Sequence, residues 1–375
     1  MNNKKVGLLA LVGKRYKNHV GSVLQAYALQ SVIEKLGFEC EIIDFEPPID
    51  IKEILAENLM KSIITRGFKW TFLIGLGLIP RLKKRVKSYR IFKKTYLNLT
   101  PRAFKNEEDL ESLNYDVYVV GSDVVWSPKH RSKALKIYLL DFVKNKKKIS
   151  YAASVWHPIP NRLYPIYKNL LRYFDFLSVR EKTSVRYLKR CGIKINPEIV
   201  LDPTLLLSKE EWKKISKPPE KVIEKPYIIF YDVHHAKGLL SEVFSIAKKK
   251  RVNVVTESPF LIEPKNPKVY SFYTYSPAEF LWLIENAEYV ITTSLHGTIF
   301  SVLFQKPFYS IKPAADPDNK IVDFLETMGL EDRFVQNPKD LKHLSFDNDI
   351  NWKAAKKKLE RKINTSIRFL KKALR

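Results

Sequence analysis

Cysteine is scarce in this sequence, which has Cys40 and Cys191 in a chain of 375 residues. Neither stands at a metal-ligand spacing, and two cysteines cannot form the disulfide framework of a small secreted domain. The adjacent His234 and His235 have no obvious third ligand nearby. We therefore expect a reducing compartment and no metal site.

Long apolar runs and several common motifs are also missing. No run reaches the ~20 apolar residues that span a bilayer, and residues 1–5 lead into a short run without a small-residue cleavage site. We expect a cytoplasmic protein that is soluble or peripheral at the inner face of the membrane. The sequence has neither a G-x-G-x-x-G nor a Walker A motif, so it does not support nucleotide binding through these motifs. It also has no G-x-S-x-G motif, so it does not support a serine nucleophile on such a turn.

Acidic residues are few relative to basic ones. The sequence has 66 lysines and arginines but 40 aspartates and glutamates, which gives a net charge of +26. Such a surface attracts polyanions, although a generally lysine-rich composition explains the charge without any partner. An apolar stretch at 71–80 is followed by a basic stretch at 81–94. This pattern fits contact with an anionic membrane and equally a helical hairpin that covers the N-terminal domain. Nucleic acid is not expected, because interleaved aromatics and the known fold motifs are missing.

Strand-length apolar runs alternate with helical periodicity along most of the chain. A strand at Val6–Val12, a helix ended by Gly37 and a strand at Glu39–Phe45 form a βαβ unit, which predicts a parallel sheet. Further strands are predicted at 117–120, 149–153, 176–179, 227–231, 252–256, 289–293 and 308–311, and further helices after Glu181 and at 236–249, 277–286 and 297–305.

The length of the chain and a linker-like segment within it predict two domains. Residues 216–225 carry two prolines and many charges, which is typical of a linker. The predicted fold is α/β, with two doubly wound Rossmann-like domains, 1–215 and 216–350, that face each other across a cleft. Residues 351–375 form an amphipathic helix that we expect to pack back on the body, with a membrane-surface helix as the alternative.

Polar residues follow four of the strands, at the sheet edge where open parallel sheets bind ligands. Gly121–Asp123 can hydrogen-bond a sugar, or can form a turn that caps a helix. Arg180 can clamp a phosphate or carboxylate with parallel bonds, or can pair structurally with Glu181. Asp202 can bind a substrate hydroxyl, but it precedes a proline, and turn chemistry is the favoured interpretation there.

The fourth segment, at 291–298, runs from a strand into a helix through small residues. Free backbone N–H groups at a helix start form an anion site. His296 stands at this point and can act as a general acid near neutral pH. A core histidine is the alternative, but its placement among small polar residues favours a functional role.

Taken in order, these blocks resemble the polysaccharide pyruvyl transferase family. The matching blocks are 20–30 (VGSVLQAYALQ), 121–126 (GSDVVW), 150–154 (SYAAS), 178–181 (SVRE), 201–204 (LDPT) and 294–298 (SLHGT) with 306–308 (KPF). The family resemblance implies a two-domain fold similar to GT-B glycosyltransferases. It also implies an enzyme without a cofactor that transfers the enolpyruvyl skeleton of phosphoenolpyruvate onto two hydroxyls of one sugar of a cell-surface polysaccharide or its lipid-linked precursor.

The resemblance also assigns roles to residues. His296 would protonate the methylene carbon of phosphoenolpyruvate, and Arg180 would be catalytic and hold the phosphate or carboxylate. The donor site would comprise Arg180, Ser294, Leu295, His296, Gly297 and Thr298, and the acceptor site Gly21, Gly121, Ser122 and Asp123. Some members carry arginine in place of Ser294, and glutamine and asparagine are common at the positions of Val124 and His19, so donor and acceptor contacts differ here.

Two other functions compete with pyruvyl transfer. One is a GT-B-type glycosyltransferase that uses a nucleotide sugar, and the other is a glycan- or lipid-binding protein without turnover. An anionic membrane surface is left open as a further partner in either case, since a positive face concentrates a protein there.

Overall fold

The computed structural model describes residues 4–12, 20–46, 68–130, 132–233, 238–258, 267–313, 320–346 and 349–375, with the backbone alone for 68–79. Three residues named above, His19, His234 and His235, lie outside this description, as do the side chains of the apolar stretch before Pro80.

The elements of the described residues alternate between strands and helices. The strands are β1 (Lys5–Leu9), β2 (Glu39–Ile42), β3 (Val117–Val120), β4 (Lys147–Ser150), β5 (Ser178–Val179), β6 (Glu198–Ile199), β7 (Tyr227–Tyr231), β8 (Asn253–Thr256), β9 (Val269–Ser271), β10 (Tyr289–Thr292), β11 (Phe308–Ile311) and β12 (Phe334–Val335). The α-helices are α1 (Val20–Lys35), α2 (Phe68–Tyr96), α3 (Glu107–Leu110), α4 (Ser132–Tyr138), α5 (Tyr164–Leu171), α6 (Lys182–Arg190), α7 (Lys209–Ile215), α8 (Leu239–Lys250), α9 (Pro277–Asn286), α10 (Leu295–Leu303), α11 (Lys320–Met328) and α12 (Trp352–Leu374).

The N-terminal sheet is parallel, with strand order β2-β1-β3-β4. A parallel pair, β5 and β6, extends it through single bridges from Ile149 to Phe176 and from Ala153 to Val179. Strands β1 and β3 are adjacent, yet α1 and β2 lie between them in the chain. The order of the sheet therefore reverses between β1 and β3, and this opens a crevice at their carboxyl ends.

The C-terminal sheet is also parallel, with strand order β12-β11-β10-β7-β8-β9. Counted from its own first strand, this is the 3-2-1-4-5-6 order of a Rossmann sheet. The order reverses between β7 and β10, so the segment after β10 stands at the second crevice. The predicted fold class, two doubly wound α/β units of the GT-B type, is confirmed.

Several element ends differ from the sequence expectation, and each difference has a local cause. Strand β1 ends at Leu9, because the chain turns there and the Val12 N–H donates to the Ala10 carbonyl. Helix α10 begins two residues before the predicted start, because the Ser294 hydroxyl accepts from the Gly297 N–H and caps the helix earlier. In contrast, α9 and the strands β3, β7 and β11 have the predicted bounds.

Helix α12 packs its apolar stripe against the body of the protein. The Leu201 N–H donates to the Ser366 hydroxyl over 3.0 Å, and the Phe369 ring lies 6.3 Å from the Tyr151 ring. Leu370 and Leu374 are fully buried, so the C-terminal segment returns to the N-terminal half. The domain boundaries at residues 215 and 350 stay predictions.

Helix α2 joins the two halves through a buried arginine. Arg85 is 3% exposed, and its guanidinium donates to Glu257 Oε1 and to the Tyr273 carbonyl, each over 2.6 Å. It also lies over the Tyr89 ring, 5.1 Å from its centroid. One cation of the basic stretch is therefore part of the interior. In the described part of the chain, no helix has the length and apolarity needed to cross a membrane.

Replacement of Arg85 tests this connection. Arg85→Met keeps most of the side-chain volume but deprives the Glu257 carboxylate of its buried counter-ion. We expect the free energy of unfolding to fall by about 3 kcal/mol, measured from the urea midpoint and slope. The exposed Lys87 on the same helix is the control, and Lys87→Met should change stability by less than about 0.5 kcal/mol. Equal effects of the two substitutions would contradict a structural role for Arg85.

Candidate active site

The two crevices lie against each other, and helix α1 fills part of the space between them. A Cβ atom built on Gly21, in the first turn of α1, would overlap the imidazole of His296 at the start of α10. Ser22, the next residue, donates to Asp123 Oδ2 over 2.9 Å. The N-terminal and C-terminal sheets thus bring Gly21, Asp123 and His296 to one place, as the carboxyl-end rule predicts.

Arg180, directly after β5, is the electrostatic centre of this place. Its side chain is 5% exposed and contacts three carboxylates, with Asp202 at 2.8 Å, Glu181 at 3.3 Å and Asp123 at 3.6 Å. Burial alone would lower the pKa of the guanidinium, but Glu181, Asp202 and Asp123 together raise it above its usual value. The cation is therefore permanently charged and already surrounded by negative partners.

Asp202 connects Arg180 to His296. Its Oδ2 lies 2.8 Å from Arg180 Nη1 and 3.5 Å from His296 Nε2. Its Oδ1 accepts from the N–H and the hydroxyl of Thr204, over 3.0 Å and 2.7 Å. Burial would raise the pKa of this carboxyl, but His296 and Arg180 outweigh it and hold the pKa well below the usual range. Asp202 is thus ionised and can orient the imidazole.

Asp123 stands on the other side of Arg180, with a positive φ of 68°. Burial would raise the pKa of its carboxyl, whereas Arg180, His296 and Lys320 lower it, so the group is ionised. The neighbouring Ser122 is fully buried and donates to the Ala152 carbonyl over 3.0 Å. Of the three residues in the Gly121–Asp123 block, Asp123 is the one that contacts Arg180.

Gly121 and Gly297 are glycines because other backbone and side-chain atoms approach them closely. A Cβ on Gly121, whose φ is +145°, would overlap the Tyr151 carbonyl, and a Cβ on Gly297 would overlap the Thr292 hydroxyl. These contacts fix the turn after β3 and the turn from β10 into α10. The close contacts explain why glycine stands at both positions. The contacts of Gly121 with the acceptor and of Gly297 with the donor stay predictions.

The start of α10 differs from the predicted anion site in one respect. The Gly297 N–H, one of the N–H groups at the helix start, is not available to a ligand, because it donates to the Ser294 hydroxyl over 3.4 Å. Leu295 and His296 occupy the first two helical positions, and their N–H groups have no carbonyl partner within a helix. The Thr298 hydroxyl is buried and bonds to the Ser294 carbonyl and the Ser310 hydroxyl.

A cavity of about 120 Å³ adjoins this network and is lined by Arg180, Asp202, Leu295, Lys320, Phe324 and Lys362, among others. The geometry provides an imidazole held between a glycine and a carboxylate, with a second carboxylate nearby. This arrangement is suited to proton transfer at a substrate that enters between the halves. Across the part of the chain that the structure describes, His, Cys, Asp and Glu side chains form no group that could hold a metal ion.

Sequence reasoning missed two of these contributors. The Asp-Pro pattern predicts turn chemistry at Asp202. This residue does cap the short helix Pro203–Leu206, yet its second oxygen contacts Arg180 and His296. Ser22 lies in a matching block, but the sequence assigns it no role. The Asp-Pro signal could not reveal the second contact, because both partners come from distant parts of the chain.

Comparisons with known proteins identify the family and the fold. The model of the polysaccharide pyruvyl transferase family matches residues 19–313. Among solved structures, UDP-GlcNAc 2-epimerase of Methanocaldococcus jannaschii is 16% identical, with 96% of this chain and 99% of that chain covered and a TM-score of 0.52. A glycosyltransferase from Rickettsia africae is 14% identical, with 98% and 94% covered and a TM-score of 0.51. At such identities the likeness shows the fold alone. No curated protein matches the sequence.

The pKa of Asp202 predicts a pH-dependent stability. Because the folded state lowers this pKa, the ionised carboxylate stabilises the fold above the unfolded value of about 3.9 and loses this contribution as the pH falls further. We compare the free energies of unfolding of the wild type and of Asp202→Asn. The difference between them should be constant above about pH 5 and should become smaller below about pH 4. Urea unfolding at a series of pH values measures it.

The exposed Asp340 provides the control for this experiment, since Asp340→Asn should leave the pH profile of the wild type unchanged. A difference between wild type and Asp202→Asn that persists undiminished at about pH 3 would contradict the ionised, charge-paired state of Asp202.

Proposed function

Because the chain belongs to the polysaccharide pyruvyl transferase family, we propose that it forms a pyruvate ketal on a glycan with phosphoenolpyruvate as the donor. The observation that carries the proposal is the His296–Asp202–Arg180 network at the crevice between the two sheets. The family implies a glycan acceptor, and the acceptor is a sugar of a cell-surface polysaccharide or its lipid-linked precursor.

The first chemical step is a proton transfer from the His296 imidazolium to the methylene carbon of the donor. The carbon–carbon double bond supplies the electron pair, and the central carbon becomes an oxocarbenium-like cation. Asp202 keeps the imidazole in place, because it lies 3.5 Å from Nε2 and is itself held by Arg180.

Two sugar hydroxyls then complete the ketal. The first hydroxyl attacks the cationic carbon, and its proton passes through the Asp123 carboxylate back to His296. The bond between this carbon and the phosphate oxygen breaks, and phosphate leaves with the electron pair. The second hydroxyl attacks the same carbon, and the departing phosphate takes up its proton. Asp123 is ionised, so it also stabilises the positive charge of the intermediate.

The competing glycosyltransferase reaction would use a nucleotide sugar. The shared GT-B fold permits it, since fold alone does not decide function. The two reactions differ in products, because pyruvyl transfer releases inorganic phosphate and creates a methyl group, whereas glycosyl transfer releases a nucleotide.

His296 is the residue that tests the proposal. We expect His296→Ala to lower the turnover number by about 10²–10⁴-fold, because a general acid is lost, while phosphoenolpyruvate is still bound. Proton NMR of the new ketal methyl group, together with a phosphate-release assay on a panel of glycan acceptors, measures the turnover.

The exposed His343 supplies a matched control, and His343→Ala should keep wild-type turnover. Unchanged phosphate release by His296→Ala would exclude the imidazole as the acid. Consumption of nucleotide sugars by the wild type, with no methyl signal from phosphoenolpyruvate, would replace pyruvyl transfer by glycosyl transfer.

A further inference from the structure

Helix α2 is anchored at the cleft edge of both sheets. Lys93 Nζ donates to the Val12 carbonyl over 2.8 Å, shortly after the carboxyl end of β1. The Ser88 hydroxyl donates to the Thr274 carbonyl over 3.0 Å, shortly after the carboxyl end of β9. The carboxyl ends of parallel strands form the edge at which such sheets bind ligands. What the outer side of α2 contacts therefore also determines what the cleft edge approaches.

The solvent-facing side of α2 is a row of cations. Five exposed side chains lie on this side, with spacings of three or four residues that place them along one face of a helix: Lys83, Lys84, Lys87, Arg90 and Lys94. These five residues are named the basic face of α2. The other side of the helix packs inward through Arg85, Tyr89 and Phe92, which are all buried. A cover for the protein body and a membrane contact are thus compatible, because different sides of α2 provide them.

The basic face has no carboxylate to balance its charge. The sequence of α2 contains no aspartate or glutamate, and within the described residues none of the five cations forms an ion pair. Exposed lysines on other helices do pair, such as Lys182 with Glu326 over 3.0 Å and Lys213 with Glu285 over 2.7 Å. Like charges three or four residues apart destabilise a helix, and an anionic surface would offset this cost. A lysine-rich composition alone does not explain a face from which acidic residues are absent.

Two features favour a lipid bilayer over a soluble polyanion as the partner. Ile91, four residues after Lys87 on the same side of the helix, is 56% exposed. The sequence over 71–79, which precedes the basic face on the same helix, is apolar. Peripheral helices bind anionic bilayers by combining apolar contact with charge attraction, whereas a polyanion in solution needs the cations alone.

From these observations we propose that the basic face of α2 docks the protein on an anionic membrane surface, with the phosphate headgroups of the lipids as its ligands. Docking through α2 would bring the cleft edge of both sheets to the bilayer surface. A lipid-linked sugar could then enter the cleft directly from the membrane. This use of the docking rests on the proposed function, whereas the docking itself needs no assumption about the reaction.

Co-sedimentation of the full chain with vesicles tests the docking. We expect the wild type to bind vesicles of phosphatidylglycerol and phosphatidylcholine in equal parts, and not vesicles of phosphatidylcholine alone. Each cation at an anionic surface strengthens binding about fivefold, so the double variant Lys83→Gln/Lys87→Gln should bind about 25-fold more weakly. The exposed Lys339 and Lys342 provide the matched control, because Lys339→Gln/Lys342→Gln has the same net charge and should bind like the wild type.

Four results would overturn the docking surface. They are no sedimentation of the wild type with the anionic vesicles, unchanged binding of the α2 double variant, an equal loss in the control double variant, and binding to soluble heparin without binding to vesicles. Urea midpoints equal to that of the wild type show that both double variants are folded. Vesicle binding needs neither donor nor turnover. Its failure would therefore leave pyruvyl transfer standing, and a missing ketal methyl signal would leave the docking standing.

Discussion

A buried guanidinium has to be surrounded by charge partners, because an isolated ion inside a protein costs several kcal/mol. Arg180 meets this requirement with carboxylates from three segments, which follow β3, β5 and β6. These segments are consequently tied to one point at the edge of the N-terminal sheet. Asp202 extends the connection to His296 in the C-terminal half. The charge balance of one arginine thus determines where the imidazole stands relative to both sheets.

Close packing, in addition to the charge pairs, fixes the position of the His296 imidazole. His296 lies against Gly21, where any side chain would overlap the ring, and α10 starts against Thr292, where Gly297 leaves the space. An imidazole with a glycine on one side and a carboxylate on another has little rotational freedom. Such restriction is what a proton donor needs, because catalysis depends on orientation as much as on pKa. These glycines therefore leave the space that neighbouring side chains occupy, and this is a structural reason for glycine at both positions.

The alternation of strands and helices was predictable from the sequence, and so was the edge at which the site lies. The bounds of β7, β11 and α9 follow directly from apolar runs and capping residues. The pairing of charges was not predictable. Nothing local distinguishes Arg85, which is buried against Glu257, from the exposed cations beside it on α2. Asp202 likewise shows only its turn role in the sequence, since its partners are 22 residues before and far after it in the chain.

The charge around the His296 imidazole affects both its orientation and the binding of an anionic donor. A network in which carboxylates outnumber the arginine orients an imidazole well, but it repels an anionic donor. Binding and orientation therefore place opposite demands on the local charge, and the two demands can be met only by separate groups. The carboxylates adjoin the imidazole, whereas Lys129 and Lys320, one from each half of the chain, lie over the Trp156 ring.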